Sequence, residues 1–281
     1  MPFHIIKGTF HVTGYSPDGD SVRFKANNVA NWNLLAGPPA KRNARDHVQL
    51  RLEAIDTLET HFQNAHQPLE LAERALESLL DLLGIADVEW NDHRTQIVQA
   101  SDGTAGYILS RIVEPNRRPV SFVFAGDAPE ADGSSVFVDV SRVRESVNYK
   151  QTTSGMAYVT YYEGLFPDLR NAFTAAAHEA RQASRGVYAL DRTNAGFVVN
   201  GLQSLEEEHV ILPKLFRRLA AYLEGGGSVA GFKHHLADLA ERVFIISTAH
   251  ATHFDTVVKV DAASSTVRMT QPPDNLIFQG A

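Results

Sequence analysis

Residues 47–59 read HVQLRLEAIDTLE and place Arg51, Asp56 and Glu59 within nine positions at the end of a short apolar strand pattern. Charged side chains at the mouth of a buried strand lose hydration unless they meet a partner. For this set the fitting partners are a metal ion on the carboxylates and an anionic substrate on the guanidinium. Asp18 and Asp20 stand in the earlier segment PDGDS, whose DGD core alone most often makes an Asx turn. An oxygen-only ligand set suits calcium, which takes six to eight hard ligands, with magnesium or manganese as competitors and zinc or copper disfavoured. In a straight strand Arg51 and Asp56 would face opposite ways, so their convergence requires a bend near Ile55.

The elements that must position these groups are legible from periodicity. Residues 3–15 and SVRFKA have strand composition about the SPDGDS turn and predict a β-hairpin. The Asn-, Gly- and Pro-rich run NNVANWNLLAGPPAKRNARD reads as a long loop before VQLRLEAI. From Pro68 to Leu83, Ala72, Ala75, Leu76, Leu79 and Leu80 recur at helical spacing, with Gly84 as the stop. VEW, TQIV, GYILSRIV, PVSFVF and SSVFVDV return to strand composition; SVNYKQTT predicts a short helix closed by Gly155, and PDLRNAFTAAAHEARQASRG a long one. The order suggests a small closed β-barrel with helices packed outside.

After GVYALD the composition changes. Ser204 and Glu207 have the spacing of a capping box opening a helix, with Glu206–Glu208 in its first turn. Pro213 starts a helix carrying an apolar stripe of Leu215, Phe216, Leu219, Tyr222 and Leu223, and Gly225–Gly227 breaks it. VAGFKHHLADLAERVFII reads as a second helix, followed by strand-like FDTVVKV, TVRMT and NLIF. The expected architecture is α+β, with one domain over residues 1–190 and a C-terminal helical hairpin with a small β element over 191–281. The stripe packs on its own domain or docks a protein partner or second copy. His250 with His253, and His234 with His235, lack a third ligand and read as solvated.

Composition narrows the function classes. The net charge of −7 argues against coating nucleic acid through a basic surface, while leaving room for a grip on one or two phosphates. The absence of cysteine removes disulfides and thiolate metal sites. No stretch has the length of a membrane span, and MPFHIIKGTF lacks the form of a signal peptide. The expected location is the cytoplasm.

In order, PDGDSVRF, RLEAIDTLETHFQ, the Pro68–Leu83 helix, NRRPVSFVF, SVNYKQTTSGMAY and the helix ending ARQASRGVY resemble the staphylococcal nuclease (thermonuclease) family over about residues 5–191. The resemblance implies a five-stranded OB-type barrel, a calcium ion and hydrolysis of DNA or RNA phosphodiester bonds in single-stranded or unpaired substrates. It implies that Asp20 and Asp56 are metal carboxylates, that the Thr57 carbonyl is a further ligand and that Asp18 tunes the site. Glu59 then activates or orients water, and Arg51 and Arg118 hold phosphate. Such hydrolysis needs neutralised phosphoryl oxygens and a positioned water, and arginine's planar fork suits the former. The chain departs from the pattern at Leu58, where the family has proline, and at Arg117, where glycine precedes the second arginine. The latter leaves Arg117 as an alternative to Arg118, with Arg111 more remote. These departures and the acidic charge leave a second expectation, a non-catalytic OB-type module binding single-stranded nucleic acid or protein.

Overall fold

The computed structural model describes residues 2–279. The protein is α+β, and its contacts group it into two compact units. One is Glu53 and the residues before it with Leu76–Gln151; the other is Ala54–Ala75 with Thr152 onward. Residues 152–190 are thus grouped with the C-terminal segment.

The first unit is built on a seven-stranded, nearly closed, barrel-like sheet. Strand Phe3–His11 pairs antiparallel with Arg23–Ala26 and with Thr104–Val113. Thr104–Val113 pairs antiparallel with Pro119–Ala125, and Arg23–Ala26 with Val48–Gln49. Pro119–Ala125 in turn runs parallel to Arg51–Leu52. Only Leu50 separates Val48–Gln49 from Arg51–Leu52, so a single run of chain lines both edges of the sheet. Ser135–Val136 adds on Phe3–His11.

The central strands Thr104–Val113 and Pro119–Ala125 are buried on both faces along much of their length. Ile5, Phe10, Phe24, Val48, Leu50, Ile108, Leu109 and Phe122 are fully buried. The Phe10 and Phe24 rings lie 5.0 Å apart, with Trp32 edge-on to Phe24. Gly8 and Gly106 face each other across paired strands, and a Cβ at Gly106 would fall inside the van der Waals envelope of the Phe10 ring. Glycine there is what admits that ring.

Buried amides sew the strands to the flanking helix Val147–Thr153. Asn148 Oδ1 accepts from the Val123 amide at 2.9 Å, and its Nδ2 donates to the Glu53 and Ser121 carbonyls at 2.9 and 3.0 Å. Gln151 donates to the Gly19 carbonyl at 3.1 Å and accepts from Ser78 at 2.7 Å. Where the first strand ends, His11 and His47 stack with centroids 4.1 Å apart. Tyr15 Oη lies 3.0 Å from His47 Nδ1. Burial, and then the charge of His11, lower the His47 pKa to about 4.

The second unit holds Ile55–Asp56 antiparallel to Tyr158–Val159. Leu276–Phe278 runs parallel to Tyr161–Tyr162 and antiparallel to Arg242–Ile245, which also pairs with His250–His253. Phe197–Val198, Thr266–Met269 and Val258–Asp261 form a further three-stranded sheet. Its long helices are Pro167–Gln182 and Pro213–Glu224, each with proline in the first turn. Among the described residues no helix is long and apolar enough to cross a membrane.

Several expected elements differ. Of SSVFVDV only Ser135–Val136 is strand, because Asp139 caps the short helix Val140–Arg144 through the Arg142 amide. The expected second C-terminal helix ends at Leu239: Ala240 adopts φ +49°, and Arg242–Ile245 is a strand. Ser204 lies inside helix Gly201–Glu207 and not at its N-cap, donating to the Gly201 carbonyl at 2.9 Å, so Glu206 and Glu207 sit in its last turn. The stripe residues Leu215, Phe216 and Leu219 are fully buried within the chain.

Two measurements follow. Gly106→Ala should lower stability by about 1–3 kcal/mol in urea denaturation, because the Phe10 ring has no room to yield. The depressed His47 pKa means that the unfolded chain takes up a proton first, so stability is full above pH 6.5 and falls as pH drops through the window to about 4. The loss by pH 5 should be about 2 kcal/mol and should shrink in His47→Phe, read from urea midpoints at pH 7 and 5.

Candidate functional site

The two carboxylates follow a sharp break in the backbone. Ala54 has φ +71°, a left-handed conformation uncommon for a residue with a Cβ. It ends the path of Arg51–Leu52 and starts Ile55–Asp56, where Tyr158 lies opposite Asp56. The chain changes course there, one residue before Ile55. Asp56 and Thr57 are buried, as is Leu58 at 0% exposure.

Glu59 is fixed by the fully buried Gln67. The Gln67 amide donates to the Glu59 carbonyl at 2.9 Å, Gln67 Oε1 accepts from the Glu59 amide at 3.3 Å, and Gln67 Nε2 donates to the Ile211 carbonyl at 2.8 Å. Ile211 stands two residues before helix Pro213–Glu224. The same helix start is held a second way: the Leu212 amide donates to Thr193 Oγ1 at 2.9 Å, Thr193 Oγ1 donates to Asp191, and Tyr158 donates to Asp191 at 2.9 Å. One network therefore fixes the carboxylate turn and the helix facing it.

From that helix Arg217 reaches both carboxylates. Its Nη1 donates to Asp56 Oδ1 at 3.0 Å and its Nη2 to Asp56 Oδ2 at 2.8 Å, a bidentate fork. Nη1 also donates to Glu59 Oε1. The Arg217 side chain is 21% exposed against 5% for Asp56 and 12% for Glu59. Burial works against the charge, but the Asp56 and Glu59 carboxylates outweigh it and hold the guanidinium pKa well above its ordinary value. The neighbouring cations are occupied elsewhere: Lys214 and Arg218 both bind Glu241, at 2.9 and 2.7 Å. Burial opposes ionisation of Glu241, yet its hydrogen bonds and charges from Arg218 and Lys214 bring its pKa down to about 2.

The other expected site residues belong to the barrel-like unit. Asp18 and Asp20 flank Gly19, whose carbonyl Gln151 holds, and the Asp20 carbonyl accepts from the Leu52 amide at 3.0 Å. Half-buried Arg51 opens its strand opposite Val120. Arg118 precedes Pro119–Ala125, and its Nε donates to Glu114 Oε1 at 3.0 Å. Arg117 takes φ +66° in the same turn, the backbone demand that glycine would meet without strain, and donates to the Pro39 carbonyl at 2.9 Å.

Asp56, Thr57 and Glu59 do not fit a calcium site in this arrangement. Both Asp56 oxygens and one Glu59 oxygen already accept from a guanidinium, and a dication placed there would meet that positive charge. Thr57 Oγ1 is buried without a hydrogen-bond partner, but one hydroxyl does not replace carboxylates. Among the described residues no group of three or more His, Cys, Asp or Glu is arranged to hold a metal ion.

Arg217 and Gln67 are the residues that sequence reasoning missed. Arg217 sits beside Phe216 in an apolar stripe, and the available signal was three cations, Lys214, Arg217 and Arg218, on a helix otherwise read for its apolar face.

Removing Arg217 leaves two buried carboxylates without its charge, so Arg217→Met should cost about 3–5 kcal/mol, and Asp56→Ala should cost less because Glu59 still meets the guanidinium. The double variant should cost clearly less than the sum in a denaturation cycle, and additive losses would show that the pair is not coupled. Comparison with family models and with curated proteins gives no match.

Proposed function

We propose that the chain is an OB-type module that binds single-stranded nucleic acid through its phosphodiester backbone without metal-dependent cleavage. The observation that carries it is the Arg217 fork, which neutralises the two carboxylates that hydrolysis would require free. The OB-type assignment draws support from the circular strand order, in which residues 48–52 pair antiparallel on one side and parallel on the other. Arg51 supplies the phosphate contact. Arg23, which opens the second strand, and Arg45, in the loop before Val48–Gln49, lie over the Tyr15 ring at 4.9 and 5.6 Å, a mixture of cation and aromatic faces suited to an unpaired strand.

The second reading is a calcium-dependent nuclease or phosphodiesterase, with Arg51 and Arg118 on phosphate and Glu59 orienting water. The observation favouring it is that Asp56 and Glu59 do converge on one cation. Nuclease activity then requires Arg217 to leave them.

A labelled single-stranded oligonucleotide should bind in chelator, more weakly as salt rises, and remain intact when calcium is added. Arg51→Ala should weaken binding about five- to tenfold, equivalent to about 1–1.4 kcal/mol. Calcium-dependent degradation by the wild type that disappears in Glu59→Ala would overturn this reading in favour of the second.

A further inference from the structure

We infer that Arg217 is a built-in replacement for a divalent cation: its guanidinium occupies the position that Asp56 and Glu59 create, so the chain excludes hard metal ions from that turn. The inference deepens the reading above, on which it rests for the identity of the carboxylates, and it is measured without nucleic acid.

Three observations carry it. First, the carboxylates converge on one cationic point, with both Asp56 oxygens and one Glu59 oxygen directed at a single guanidinium. Second, that cation is held in place by the fold. Leu215, Phe216 and Leu219 around it are fully buried, Lys214 and Arg218 are fixed on Glu241, and the helix start is tied through Ile211 and Leu212. The backbone that carries Arg217 is therefore held, and its side chain is held on the carboxylates by the three hydrogen bonds to Asp56 and Glu59. Third, the Gln67 network that sets Glu59 also grips the residue before Leu212, so the spacing between carboxylates and guanidinium is set by buried hydrogen bonds. A planar fork is the organic group that can satisfy two carboxylates at once in this way. The charge balance is chemically distinct from that of a metal site: a guanidinium brings a single positive charge and five donors but no open coordination position, so it cannot bind and polarise water or a phosphoryl oxygen as an ion does.

Calcium titration of the full chain by calorimetry tests this, alongside Arg217→Met, Arg217→Met with Asp56→Asn, and Arg217→Gln. The wild type should show no saturable binding at millimolar calcium, whereas Arg217→Met should gain a site of about 10⁻⁴–10⁻³ M. Asp56→Asn in that background should abolish it. Calcium should raise the melting temperature of Arg217→Met and leave the wild type unchanged. If Arg217→Met does not fold, Arg217→Gln, which removes the charge but keeps an amide donor for the carboxylates, should show a calcium-dependent rise in melting temperature. Wild-type binding as tight as that of the variant, or folded variants with no response to calcium, would overturn the inference. Oligonucleotide binding by the wild type is unaffected by either result, so this failure and failure of the function proposed above are distinguishable.

Discussion

Two carboxylates three residues apart cannot share a buried turn as free anions; like charges at that separation raise each other's energy and neither is well hydrated there. In this protein the conflict is resolved by one guanidinium, and much of the second unit is organised to deliver it. The Ala54 break turns the chain, Gln67 fixes Glu59, and the Thr193–Asp191–Tyr158 chain sets the start of the helix that carries Arg217. A buried ion pair is weak evidence for net stability, since desolvation offsets most of its attraction. Its effect is one of specificity, because a helix displaced by one residue would leave three charges without compensation.

The barrel-like unit solves a different problem, the edges of its sheet. A strand edge exposes unpaired backbone groups, and here residues 48–52 satisfy both edges with one short run. Asn148 closes the remaining backbone valences beside it, and Gln151 fixes the turn that carries Asp18 and Asp20. Two buried amides on one helical turn thus do for the barrel what Gln67 does for the carboxylate turn.

Much of this was legible in the chain itself. The β-hairpin, the helix after Pro68, the long alanine-rich helix and the proline start at 213 follow from periodicity and turn chemistry, and the structure has them at Phe3–Ala26, Leu69–Leu82, Pro167–Gln182 and Pro213–Glu224. Ser204 misled because its hydroxyl serves the backbone equally well from inside a helix as from its cap. The partner of Asp56 was invisible for a different reason: no local pattern connects residues far apart in sequence, and an arginine beside Phe216 reads as the polar edge of an amphipathic helix. What periodicity reports is which face is apolar, and it is silent on which cation crosses that face to meet an anion.

The separation itself has a temporal meaning. Arg217 lies 161 positions after Asp56, and at ribosomal rates of about 5–20 residues per second the arginine emerges roughly ten to thirty seconds after the aspartate. Throughout that interval the cation that meets both carboxylates in the folded protein has yet to be made, so their pairing with it belongs to the last third of synthesis.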